Sequence, residues 1–210
     1  MDRRNFIVGS FGSDSTRQHA IPVSETLRHG AKRRIAKLPR PKALTLPDVT
    51  LWTQTNRPVR LYPDLLKGKV FMINMFYMNC QDGYCPLAEA TLARVQHLLG
   101  PRLGRDVFIY SISLDSGRRM PARLKQYAQE FHAHPGWLFL RGEPADIRRL
   151  RYSLGFWDPD PRQDARPENH TGVAVFANEP LNKWTACPVL SNPHEIVRVL
   201  NYVYWPKGPL

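Results

Sequence analysis

Two segments constrain the fold more than any other part of the chain: KVFMINMFY at residues 69–77 and DVFIYSISL at residues 106–114. Each reads as a strand covered on both faces, the pattern of central parallel strands. A helical period follows each one. Behind the first, Leu87, Thr91, Leu92, Val95, Leu98 and Leu99 share one face. Pro86 suits the first helical position, where its missing N–H would be unpaired anyway, and Gly100–Pro101 stop the helix. Behind the second, PARLKQYAQEF turns Leu124, Tyr127 and Phe131 inward. GWLFL is a further strand, followed by a helix from Pro144 to about Leu154, a strand in HTGVAVFAN, and a last helix capped by Asn192–Pro193. That helix turns Ile196, Val199, Leu200 and Val203 inward. Upstream, residues 46–69 read as two short strands around a turn at Asn56, then a helical turn near Asp64–Leu66. The alternation predicts an α/β sandwich, a central sheet with helices on both faces.

A chain of 210 residues is long enough for one sizeable core and a tail. The formal charge of +12 is concentrated at the front. The first 42 residues hold ten Lys or Arg against three acidic side chains, and KLPRPK closes that stretch as a stiff linker. Residues 1–43 are therefore expected to form a flexible basic arm, with possible proximity to a membrane, and residues 44–210 the folded domain. RRNFI near the start resembles a twin-arginine export signal, but the polar SDSTRQHA stands where an apolar stretch is needed, so the signal is incomplete. No segment approaches the roughly 20 apolar residues of a membrane helix. The body lacks a basic stripe interleaved with aromatics, which argues against nucleic acid as a partner.

MNCQDGYCP, residues 78–86, carries two of the three cysteines. It follows a central strand and opens a helix, where open α/β sheets place their ligand sites. A thiol just ahead of a helix start is expected to have its pKa lowered by the helix dipole, which suits nucleophilic and metal-binding roles alike. Cys80 and Cys85 therefore read as a local disulfide, a redox pair or part of a metal site.

The run LLKGKVFMINMFYMNCQDGYCP resembles the Sco/SenC family of thioredoxin-fold copper proteins. The resemblance continues through VFIYSISLD, PARLKQYAQEF, GWLFLRGE, LGF and ENHTGVAVF, over about residues 44–203. It implies a thioredoxin-like sandwich with a mixed sheet, and a copper site, Cu(I) or Cu(II), built from Cys80, Cys85 and His170. It also implies delivery of copper to the CuA centre of cytochrome c oxidase or a related copper protein, on the periplasmic or extracytoplasmic side of the membrane. The partners would be a copper-receiving oxidase subunit and a thiol–disulfide reductant. Two thiolates and an imidazole suit soft or borderline metals such as copper and zinc, and do not suit magnesium or calcium. The alternative is an enzyme, a thiol–disulfide oxidoreductase or peroxidase-like protein using Cys80 and Cys85 as catalytic redox thiols without metal.

The chain departs from the family pattern at two places. CQDGYC has four residues between its cysteines where the family has three, with Gly83 available to fold the longer loop back. LDSGRRMPA keeps Asp115 and Pro121 but has Arg119 and Met120 between, which leaves Asp115 as a structural candidate. Three further features read as ordinary structure. Cys187 is expected to be a small, partly buried residue, and His132 and His134 to sit in a connection between helix and strand. Residues 158–169 are a polar surface loop, or a flap that positions His170.

Overall fold

A computed structural model describes residues 44–80, 82–115, 120–164, 166 and 172–205. The expected arm at residues 1–43, its export signal and His170 lie outside the described residues.

Seven strands form one mixed sheet in the order β2-β1-β5-β4-β3-β6-β7. The two central runs are β3 (Val70–Phe76) and β4 (Val107–Ser113), paired in parallel from Val70↔Val107 to Phe76↔Ser113. β5 (Trp137–Gly142) extends the parallel set. β1 (Thr50–Thr53) and β2 (Pro58–Arg60) close one side antiparallel, around a turn in which Asn56 has φ +59°. β6 (Val173–Asn178) and β7 (Lys183–Pro188) close the other side, also antiparallel. β7 is absent from the sequence reading. It is an edge strand that is only half-buried, so it carries none of the apolar continuity that marks its neighbours.

The helices cover both faces. One face packs under α1 (Tyr84–Leu99), α2 (Met120–Glu130) and α5 (Pro193–Tyr204), with Leu92, Val95, Leu124, Leu200 and Val203 in its core. The other packs under α3 (Pro144–Ser153) and a π-helical turn at Leu61–Leu66, around Leu61, Tyr110, Ile112 and Leu150. The short α4 (Pro161–Asp164) lies inside the segment expected to be a loop. Its end is anchored by an ion pair from Arg151 to Asp164, and Asp164 Oδ1 accepts the Asp158 N–H at 2.9 Å.

Two expectations about α1 need correction. Leu87 and Leu98 are exposed, and the buried face instead contains Glu89 and Gln96 beside Leu92, Val95 and Leu99. Gln96 earns its place by bridging the His132 carbonyl and the His134 N–H, which ties α1 to the α2–β5 connection. The helix also starts earlier than Pro86, at Tyr84. Every N–H in a first turn lacks an intrahelical partner, so proline is tolerated at the third helical residue as it is at the first.

Candidate functional site

β3 ends at Phe76, and the loop that follows holds Cys80 before Gly83 turns the chain into α1. Gly83 has φ +73°, a left-handed conformation that costs glycine little and other residues more. The four-residue spacing is accommodated here, because the turn folds the loop back over the helix start. Cys85 is the second residue of α1 and is buried, whereas Cys80 is half-buried. The Cys80 sulfur accepts the Cys85 N–H at 3.3 Å, and its S–H donates to Asp82 Oδ1 at 2.7 Å. The same carboxylate oxygen accepts the Tyr84 N–H at 2.9 Å. The Cys85 sulfur accepts the Tyr77 N–H at 3.3 Å and lies within hydrogen-bonding reach of the Cys80 side chain. All three cysteines are free thiols.

The expected lowering of the Cys85 pKa by the helix start is overridden, because burial pushes it well above the ordinary thiol range. The Tyr77 N–H pulls it down, while Cys80 and Glu89 push it further up. Burial therefore favours the uncharged thiol of Cys85. The sulfur that receives a first-turn N–H of α1 is that of Cys80, the more accessible of the two.

The loop is braced from behind. Asp115, at the end of β4, accepts the Met78 N–H at 2.7 Å and the Ser113 hydroxyl at 3.0 Å through one carboxylate oxygen. Asp115 thereby ties the loop after β3 to the end of β4. On the other side, the Tyr84 hydroxyl donates to the Gly172 carbonyl at 3.2 Å, and the same carbonyl accepts the Val189 N–H at 2.9 Å. Gly172 has φ +54°, and a Cβ there would stand 2.3 Å from the Tyr84 hydroxyl oxygen, so glycine is needed for this contact. The start of α1 is thus tied to the residue just ahead of β6.

Among the described residues, no group of three His, Cys, Asp or Glu side chains could hold a metal ion. The described site offers two soft sulfur donors, Cys80 and Cys85. Cys187, on β7 opposite Ala174, is half-buried, and burial raises its pKa to about 11. His132 and His134 lie just ahead of β5, at the amino end of the parallel strands, away from the cysteine loop.

Two features escaped the sequence reading. A cleft of about 500 Å³ opens beside Tyr77 and Asp115, walled by Arg151, Tyr152, Trp157 and Asp164. Its wall includes Asp158 and Asp164, from the segment read as a surface loop or a flap. A buried polar set, Asn74, Glu89, Ser111 and Trp137, lies beneath the cysteine helix. Its one signal was Asn74, the only strongly polar residue in the β3 run.

The sequence model of the SCO1/SenC family matches residues 40–202. No curated protein matches the chain. Among solved structures, a SCO1/SenC family lipoprotein from Bacillus anthracis is 22% identical, with a TM-score of 0.63 over 79% of this chain and 98% of that one. Bradyrhizobium japonicum ScoI with copper bound is 24% identical, with a TM-score of 0.59 over 76% of this chain and 99% of its own. Yeast Sco1 with copper bound is 21% identical, with a TM-score of 0.54 over 73% of this chain and 87% of its own. At these identities the likeness is one of fold, a thioredoxin-like sandwich.

Proposed function

The chain belongs to the SCO1/SenC family, and from that premise we propose that it binds one copper ion through Cys80, Cys85 and His170 and passes it to an apoprotein. The recipient is the dinuclear CuA centre of cytochrome c oxidase or a related copper protein, met on the extracytoplasmic side of a membrane. The observation that carries this reading is the convergence of the Cys80 and Cys85 sulfurs at the carboxyl end of β3. Two structures of the same fold, from Bradyrhizobium japonicum and yeast, have copper bound. His170 stands two residues before Gly172, whose carbonyl is bound by Tyr84 beside the cysteines.

Copper is cargo in this scheme. Cys80 meets it first, because it is the more accessible thiol and its proton already points at the Asp82 carboxylate. Cys85 follows, giving up a proton that burial otherwise holds in place. Each thiol loses its proton as its sulfur–metal bond forms, so loading releases two protons per ion. Transfer is ligand exchange: a partner's thiols, each giving up its proton as it bonds copper, replace Cys80 and then Cys85, which take up a proton each in return.

The test is copper retained per chain after desalting, with thiols kept reduced. Wild type should hold one ion, and Cys80→Ala or Cys85→Ala should hold none. His170→Ala should weaken Cu(II) binding more than Cu(I) binding, because two sulfurs satisfy Cu(I) in near-linear geometry whereas Cu(II) prefers added nitrogen donors. A wild type that retains no copper ends this reading. The second reading, thiol–disulfide exchange without metal, is favoured by the nearness of the same two sulfurs. It would show as catalytic reduction of insulin by a protein that holds no copper.

A further inference from the structure

Glu89 lies one helical turn beyond Cys85, fully buried on the face of α1 that meets the sheet. Asn74 Nδ2 donates to its Oε1 at 2.8 Å. Its Oε2 lies 3.0 Å from Ser111 Oγ, which also lies 2.9 Å from Asn74 Oδ1. Ser111 Oγ accepts the Trp137 Nε1–H at 3.0 Å as well. No ion pair among the described residues includes Glu89.

Asn74, Ser111 and Glu89 thus form a closed triangle of three contacts, and each contact needs a proton. The Asn74 amide supplies one, because it presents nitrogen to one neighbour and oxygen to the other. The Ser111 hydroxyl supplies a second. The third can come only from Glu89. Turning the Asn74 amide over leaves the count unchanged, since its oxygen would then face Glu89 Oε1 and again require a proton there. With an ionised Glu89, two oxygen acceptors would face each other in the core, a cost comparable to a lost buried hydrogen bond.

We infer that Glu89 is carried as an uncharged carboxylic acid and is the positioning residue for Cys85, closing a hydrogen-bonded ring that pins the start of α1 to β3 and β4. Its surroundings agree. Its charge acts on Cys85 on its own helix and on Tyr127 on α2, while β3, β4 and β5 meet it with the neutral Asn74, Ser111 and Trp137. Among the described residues the buried Tyr127 hydroxyl has no hydrogen-bond partner, and Tyr127 stacks on Phe76, so the described groups on this side offer no charge to stabilise a carboxylate. Burial raises the Glu89 pKa and its hydrogen bonds to Asn74 and Ser111 only partly oppose that, leaving it at about 7. An ionised Glu89 would oppose loss of the Cys85 proton, and the uncharged acid removes that opposition. This last consequence for metal loading rests on the copper reading above.

The test uses the full chain, reduced and copper-free, then loaded with Cu(I). The infrared spectrum of wild type at about pH 6, below the folded value of about 7, should contain a carboxylic-acid C=O band that Glu89→Gln removes. Glu89→Gln rebuilds the ring, with its amide donating to Ser111, so its Cu(I) affinity should stay within about threefold of wild type. Glu89→Leu leaves Asn74 and Ser111 short of a partner and should loosen the start of α1. Cys85 alkylation should then rise at least about tenfold, with Cys80 unchanged, and Cu(I) affinity should fall about as much. Ser111→Ala removes one side of the ring and replaces Glu89→Leu if circular dichroism shows that variant unfolded. Absence of the acid band, or a Glu89→Gln that alkylates like Glu89→Leu, overturns the inference. If wild type binds no copper but the band and the alkylation pattern appear, the copper reading fails and the role of Glu89 stands.

Discussion

At the scale of single residues, the chemistry of the site is set by burial more than by the helix dipole. Cys85 and Glu89, one turn apart on α1, are both shifted toward their uncharged forms by removal from water. The Glu89 shift makes a prediction about stability. Its pKa rises from 4.5 to about 7 on folding, so the folded protein binds a proton that the unfolded chain has already lost. The stabilisation is complete below the unfolded value of 4.5 and fades as pH rises through the folded value near 7. Urea unfolding of the copper-free protein should therefore show wild type losing stability relative to Glu89→Gln across that window, by about 3 kcal/mol in all. A flat difference between the two proteins would show that Glu89 is not protonated by folding. None of this was legible in the sequence. Asn74 stood out in an apolar strand, but its partners lie 15 and 37 residues away, and a glutamate in a helix reads as a solvated residue until the helix is docked.

At the scale of elements, what the sequence revealed depended on whether local signals agreed with tertiary ones. The last helix, α5, was legible because Asn192–Pro193 marks its start and Ile196, Leu200 and Val203 repeat on one face. The structure adds the mechanism, since the Asn192 side chain accepts the His194 N–H at 2.9 Å. Asn192→Ala should cost about 1 kcal/mol of stability with little effect on the cysteines, read from chemical unfolding and thiol alkylation together. A loss well above that would mean the side chain does more than cap. The inward face of α1 was misread for the opposite reason. Its core positions include Glu89 and Gln96, which carry buried hydrogen bonds, while Leu87 and Leu98 point to solvent. β7 escaped because its residues alternate between half-buried and exposed at a sheet edge, where even Trp184 stays exposed.

At the scale of the whole molecule, the cysteine loop lies where a parallel core gives way to an antiparallel flank. β3 has parallel β4 on one side and antiparallel β6 on the other, so its carboxyl end meets the chain entering β6. That juxtaposition explains why residues more than 80 apart in sequence, Tyr84 and Gly172, come into contact, and it was legible only once a family resemblance supplied the topology. The same architecture bears on the expected boundary between arm and domain. Leu44 and Leu46 pack against the core on the α3 face, and Val49 is 3% exposed within it. We propose that everything the fold requires begins at Leu44. A chain starting there should unfold in urea at the same midpoint as the full protein and bind copper as well. A chain starting at Asp48 gives up two half-buried leucines and should lose about 2 kcal/mol, at roughly 1 kcal/mol for each half-buried side chain. Were the Leu44 chain destabilised to a similar degree, the basic segment before it would belong to the folded domain and the proposed boundary would have to move toward the amino terminus.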